Sequence, residues 1–230
     1  MARIVGMIAV VACLTATVAY AMPSSLILVP STDVQAERSF QVNYDNVTIL
    51  GTPTKVARDG SAFGLQYGVC KGLEVGLDYA TKTDDPLYFN AKYSFDPFGA
   101  NKEFGFAIGG AAFGTNENTS PNLWYGVLSY KFGVDRLHVG FFTGDDNVLA
   151  DPFDGSDESS GLMLGWDRPL DDKWWLGVDY ISGESAIGGL NVGVKYAVSD
   201  NSALLLGYNF WNNDGLASSL NVQYDLMLGK

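Results

Sequence analysis

From about residue 38 onward the chain is a succession of short runs in which every second residue is aliphatic or aromatic, with Gly, Ala, Asn, Asp or Lys between them. A period of two is the mark of an extended strand with two unlike faces. Twelve runs predict strands near 38–46, 61–70, 73–81, 87–96, 103–113, 123–132, 136–144, 160–167, 174–182, 189–198, 202–211 and 218–228. Leu73, Val75, Leu77 and Tyr79 alternate with Glu74, Gly76, Asp78 and Ala80, and Leu220, Val222, Tyr224, Leu226 and Leu228 alternate with Asn221, Gln223, Asp225 and Met227. Long connections (47–60, 82–86, 114–122, 145–159, 183–188, 212–217) alternate with mostly tight ones such as Lys71-Gly72, Gly133-Val134-Asp135 and Ser199-Asp200-Asn201. That alternation belongs to an up-and-down antiparallel sheet.

Which face is greasy on the outside follows from volume. Twelve strands closed into a barrel enclose more space than the roughly eight whose side chains just fill the bore. The face carrying Gly76, Gly140, Gly165, Gly177, Gly193 and Gly207 with Asn and Asp is therefore expected to line a wet interior, and the Leu, Val, Tyr, Phe and Trp face to meet hydrocarbon. Aromatic residues gather near strand ends, among them Phe95, Trp124, Phe132, Trp174, Trp175, Phe210 and Trp211, as interfacial girdles require. The alternative is a secreted soluble sandwich or lipocalin-like barrel with those aromatics in its core.

The amino end adds a destination. Met1-Ala2-Arg3 is a short basic start, Ile4 to Val18 is mostly apolar and uncharged, and Ala19-Tyr20-Ala21 has the small-x-small form of a signal-peptidase site. Residues 1–21 are read as a signal peptide, 22–37 as a periplasmic segment or partial plug, and 38–230 as the barrel. Val10-Val11-Ala12-Cys13 loosely fits lipoprotein processing, but the apolar run continues beyond Cys13. After Ala21 no run approaches the length of a membrane helix, so any crossing is made by strands. The formal charge of −12 argues against nucleic acid as a partner. With Cys13 removed, Cys70 stands alone, is expected to be a small packed residue, and no zinc-type cysteine spacing is present.

Leu73-Glu-Val-Gly-Leu-Asp-Tyr79 recurs as Trp175-Leu-Gly-Val-Asp-Tyr180, and Asn90-Ala-Lys-Tyr93 as Gly193-Val-Lys-Tyr196. With these segments and the strand patterning across 38–228, the chain resembles the broad class of Gram-negative outer-membrane β-barrel proteins, the porin-like and small transporter barrels. The resemblance implies an all-β fold, a closed antiparallel up-and-down transmembrane barrel of about twelve strands with both termini in the periplasm. It further implies residence in the outer membrane, contact with its lipids and lipopolysaccharide, insertion by the barrel assembly machinery, and passage of small solutes. The chain departs from that class in finishing Leu226-Met227-Leu228-Gly229-Lys230 where a terminal Phe or Trp is usual.

Charged residues of interior parity are the candidate site. Residues equidistant from a hairpin turn face each other; with turns centred at 85 and 187, Asp78 pairs with Lys92 and Asp179 with Lys195. The remaining interior charges are Asp45, Glu74, Asp96, Glu103, Lys131, Arg136, Asp167 and Asp225. Acids outnumber bases, so a water-filled bore is expected to prefer cations weakly; a barrel closed by such side chains, serving as a structural or adhesive element, is the rival reading. The acidic connection with Asp145, Asp146, Asp151, Asp154, Asp157 and Glu158 lacks the EF-hand ligand order and is expected to be a solvated extracellular loop rather than a calcium site or an inward constriction. The single histidine, His138, opens the seventh strand inside the bore, away from where a rim-sited hydrolase would need it. Nucleophile-elbow, P-loop, dinucleotide and metalloprotease motifs are lacking, and neither a cofactor, a metal nor an enzymatic activity is expected.

Overall fold

The computed structural model describes residues 24–49, 55, 60–83, 86–96, 103–115, 122–145, 149, 151, 153, 155 and 159–229. The signal-peptide reading falls outside these residues, as do Asp146, Asp154, Asp157 and Glu158 of the acidic connection.

Twelve strands form, each within two residues of its expected position: β1 (Phe40–Thr48), β2 (Gly60–Cys70), β3 (Leu73–Ala80), β4 (Leu87–Phe95), β5 (Phe104–Phe113), β6 (Leu123–Phe132), β7 (Asp135–Gly144), β8 (Ser160–Pro169), β9 (Trp174–Ile181), β10 (Gly189–Ser199), β11 (Ser202–Trp211) and β12 (Ser219–Leu228). Each pairs antiparallel with its neighbours in sequence, and β1 pairs with β12, so the sheet closes and no edge is left. At one mouth lie the start of β1, the end of β12 and the tight turns; we call it the terminal mouth, and the other the loop mouth. Gly72 adopts a left-handed backbone (φ 85°), which lets the two-residue turn after β2 close.

The alternation resolves as expected. Phe63, Leu77, Phe89, Trp124, Val139, Leu162, Val194 and Leu206 face outward, whereas Gln66, Asp78, Asn90, Ser129, His138, Asp179, Asn191 and Asn209 face inward and are buried. Outward aromatics stack across strands, as Phe40 does on Tyr67 (ring centroids 4.5 Å apart) and Phe104 beside Tyr130 (4.7 Å). An exterior of this kind is stable only against hydrocarbon. Val194→Arg, midway along β10 on that outer wall, is therefore expected to cost about 2–4 kcal/mol of folding free energy in lipid, read as a lowered urea midpoint in vesicles.

The interior differs from the expected wet tunnel. The glycines are not openings: a methyl group at Gly76 would collide with the Asn90 amide, at Gly177 with the Trp175 ring, and at Gly165 with Leu26. Each is a well filled by another side chain, because a strand position without a Cβ is where a neighbour can lean across the wall. One sector, from β5 to β9, is lined by Ala111, Leu123, Tyr125, Val127, Phe142, Met163 and Ile181, which pack with Val29, Leu149 and Ile187 into an apolar cluster inside the barrel. Cys70, expected to be packed, is exposed at the end of β2, where the ladder slips between Gly68 and Cys70.

Candidate functional site

The inner wall from β9 through β12 to β4 is polar. Asn43 and Asp45 (β1), Gln66 (β2), Glu74 and Asp78 (β3), Asn90 and Lys92 (β4), Asp179 (β9), Asn191 and Lys195 (β10), Asn209 (β11) and Asn221, Gln223 and Asp225 (β12) all carry interior parity. Side-chain atoms of Asn43, Gln66, Asn90, Asn191, Asn209 and Asn221 are buried without a hydrogen-bond partner. Such groups keep hydrogen-bonding capacity to spare on this wall.

The register rearranges the expected charge pairs. Tyr79 stands opposite Leu87, with Ala80 N donating to Pro86 O at 2.8 Å, so the β3–β4 hairpin is centred on 83, not 85. Lys92 therefore faces Glu74 instead of Asp78, with Nζ 3.9 Å from the carboxylate and both side chains fully buried. Asp78 instead accepts from Asn90 Nδ2 at 2.7 Å. The β9–β10 hairpin shifts in the same way: Asp179 faces Asn191, which donates to it at 2.7 Å, while Lys195 lies 5.5 Å over the Trp175 ring and 3.5 Å from Asp225. Moving a turn centre by two residues moves each partner by four, an even number, so every side chain keeps its face while changing its partner.

The space those residues enclose is occupied by the chain's own amino-terminal segment. Residues 24–31 form a tight hairpin, with Leu26 N donating to Val29 O at 2.9 Å and Ser31 N to Ser24 O at 3.0 Å, and its apolar tip points into the bore. Leu26, Ile27 and Val29 are at most 1% exposed. Two wall carboxylates hold the backbone. The amides of Ile27, Leu28 and Val29 all donate to one oxygen of Asp179, at 2.8, 2.9 and 3.0 Å. Glu74 accepts from Ser24 N at 3.1 Å, Ser24 Oγ at 2.7 Å and Gln35 N at 2.7 Å. Lys92 Nζ and Gln223 Nε2 donate to the carbonyls of Ser24 and Ile27, each at 2.8 Å.

Below these contacts the segment returns along the wall. Thr32 Oγ1 lies 2.7 Å from Ser129 Oγ, and Asp33 makes a two-point ion pair with Arg136 at 2.8 Å. Arg136 also bonds Asp167 at 3.0 Å, and the same carboxylate oxygen takes His138 Nε2 at 2.7 Å. The sole histidine is thus buried in a charge network that ties the inner segment to β7 and β8. A cavity of about 300 Å³ remains beside Thr32 and Asp33, lined also by Asp96, Glu103, Lys131 and Arg136. From the opposite mouth, Leu149 is fully buried in the apolar cluster, and Asp151 is buried where it accepts from Asn213 Nδ2 (2.6 Å) and Phe153 N (2.7 Å). For these two residues the expected solvated loop is corrected: Leu149 is buried by its apolar side chain and Asp151 by its hydrogen bonds. Among the described residues, no group of three His, Cys, Asp or Glu side chains is arranged to hold a metal.

The fold and its lipid-facing wall define the class: an outer-membrane β-barrel. Solved structures of that fold include the KdgM porin in complex with disordered oligogalacturonate (TM-score 0.50, 10% identity, 83% of this chain and 99% of that one). An outer-membrane channel from Pseudomonas putida F1 is similar to the same degree (TM-score 0.50, 15% identity, 85% and 97%), as is the Acinetobacter baumannii outer membrane protein Omp33 (TM-score 0.50, 11% identity, 84% and 99%). No protein-family model and no curated protein matches the chain.

Proposed function

We propose that the chain is an outer-membrane channel for small solutes, closed in this conformation by residues 24–36 acting as a plug, with the terminal mouth in the periplasm. The observation that carries this reading is that the space beside the amide- and carboxylate-lined wall is filled by a separate segment, residues 24–31, held there by Asp179 and Glu74. The described part of this segment meets the wall through hydrogen bonds and apolar packing, which can break without unfolding the strands. The work is passive, and selectivity comes from bore width and wall charge. Asp45, Glu74, Asp78, Asp179 and Asp225 outnumber Lys92 and Lys195 around the middle of the bore, which favours cations and disfavours polyanions.

A permanently closed structural or adhesive barrel is the second reading, favoured by Leu149, which enters from the loop mouth as well. A reversible lock separates the two. In a Cys70→Ser background, Thr32→Cys with Ser129→Cys replaces two hydroxyls 2.7 Å apart by a pair within reach of a disulfide. The oxidised protein is expected to be silent in planar bilayers and the reduced protein to show discrete openings whose reversal potential in a KCl gradient lies toward that of potassium. Silence of folded, reduced protein at all voltages favours the closed barrel, and a reversal toward chloride contradicts the acidic-wall selectivity.

A further inference from the structure

Resting on the channel reading, the contacts that hold the hairpin define what else the wall recognises. Every polar contact made by Asp179, Lys92 and Gln223 to the hairpin goes to its backbone: three consecutive amides to Asp179, one carbonyl to Lys92 and one to Gln223. Glu74 takes the amide and hydroxyl of Ser24 and, beyond the hairpin, the amide of Gln35. None of those backbone groups depends on which side chains the hairpin carries. The side chains enter wells floored by glycine: Leu26 over Gly165, and Ile27 over Gly193 and Gly207, where added methyl groups would come within 3.1 and 3.5 Å of it. Val29 completes the apolar cluster with Tyr125, Phe142 and Met163.

We propose that this stretch of inner wall is a binding site for short peptides with aliphatic side chains and a free amino end, and that the Ser24–Ser31 hairpin is its built-in occupant. Carboxylates placed to accept successive N–H groups, an ammonium and an amide placed to donate to carbonyls, and shallow apolar wells between them suit a peptide backbone with Leu, Ile or Val side chains. The excess of wall carboxylates adds attraction for an amino-terminal ammonium. A cargo peptide then opens its own path by competing with the plug for Asp179 and Glu74.

The test uses the full chain with Leu26→Ser and Ile27→Ser, which remove the plug's apolar grip without changing charge. The probe is the tetrapeptide Leu-Ile-Leu-Val with a free amino end and an amidated carboxyl end. It is expected to block the open current in a concentration-dependent way, and adding Asp179→Asn is expected to weaken the block by about tenfold or more, since that carboxylate lends its charge to as many as three amide hydrogen bonds. Maltotriose, a polyol of similar size without amide donors, is expected to leave the current unchanged. Current that flows but ignores the peptide, a block matched by maltotriose, or a block indifferent to Asp179→Asn overturns the inference. Absence of current from the folded variant overturns the channel reading instead, and fluorescence anisotropy of the labelled peptide on the same protein then decides the binding site: no binding, or binding unaffected by Asp179→Asn, overturns it. Should the double variant not fold, the single Ile27→Ser variant, compared with and without Asp179→Asn by the same anisotropy measurement, decides in the same terms.

Discussion

Asp179→Asn is expected to open the barrel. With the segment in place one carboxylate oxygen, buried in the barrel, satisfies three adjacent amides at 2.8 to 3.0 Å. Hydrogen bonds to a charged group contribute about 1.5–3 kcal/mol each, and leaving such donors unpaired costs at least as much. A loss of about 3 kcal/mol shifts the equilibrium of the segment between bound and released by more than a hundredfold. Single-channel recording is the direct readout: a large rise in open probability over the unmodified protein is expected, with the folded barrel still showing its own electrophoretic mobility before heating. An unchanged, silent trace from folded Asp179→Asn protein would remove the latch from the account.

Lys92→Met is expected to be the most damaging single change on the inner wall. Lys92 and Glu74 are wholly buried with only 3.9 Å between their charges, and Glu74 keeps its three plug donors when the lysine is gone. Removing one member of a buried pair strands the other charge and typically costs about 3–5 kcal/mol. Replacing both, as Glu74→Gln with Lys92→Met, abolishes the stranded charge and is expected to recover most of that stability in urea titrations of the folded barrel. It is not expected to restore closure, since Glu74→Gln weakens the second latch. Stability and gating therefore separate in this pair: the single variant is fragile, whereas the double variant is sturdy and leaky. A double variant as fragile as the single one would show that the two charges act independently.

Twelve strands, their faces and the crowd of interior charges were legible in the order of residues because each depends on neighbours two positions away. Leu77 and Val194 face outward and Asp78 and Asn191 inward for reasons that any strand obeys. The partner of Lys92 was not legible there because it depends on where a hairpin closes. That point is set by the hydrogen bonds around 80–86 and by the closure of the whole ladder, not by the connection's midpoint. The glycines misled for a related reason. Seen singly, Gly165, Gly193 and Gly207 look like empty space, yet the Leu26 and Ile27 side chains that fill it lie far away in the chain.

The amino-terminal segment marks the boundary most clearly. Its apolar stretch Leu26–Val29 was visible as something that water would not tolerate, but not its destination. Asp179 lies about 150 residues from the amides it accepts, and no periodicity relates them. Alternation along the chain suffices to build a membrane cylinder with a greasy outside and a polar inside, because those are local preferences repeated twelve times. Whether that cylinder stands open or shut was decided only when closure brought β3 and β9 to the two sides of one hairpin, because a hydrogen bond acts over 3 Å of space whatever the length of chain between its partners.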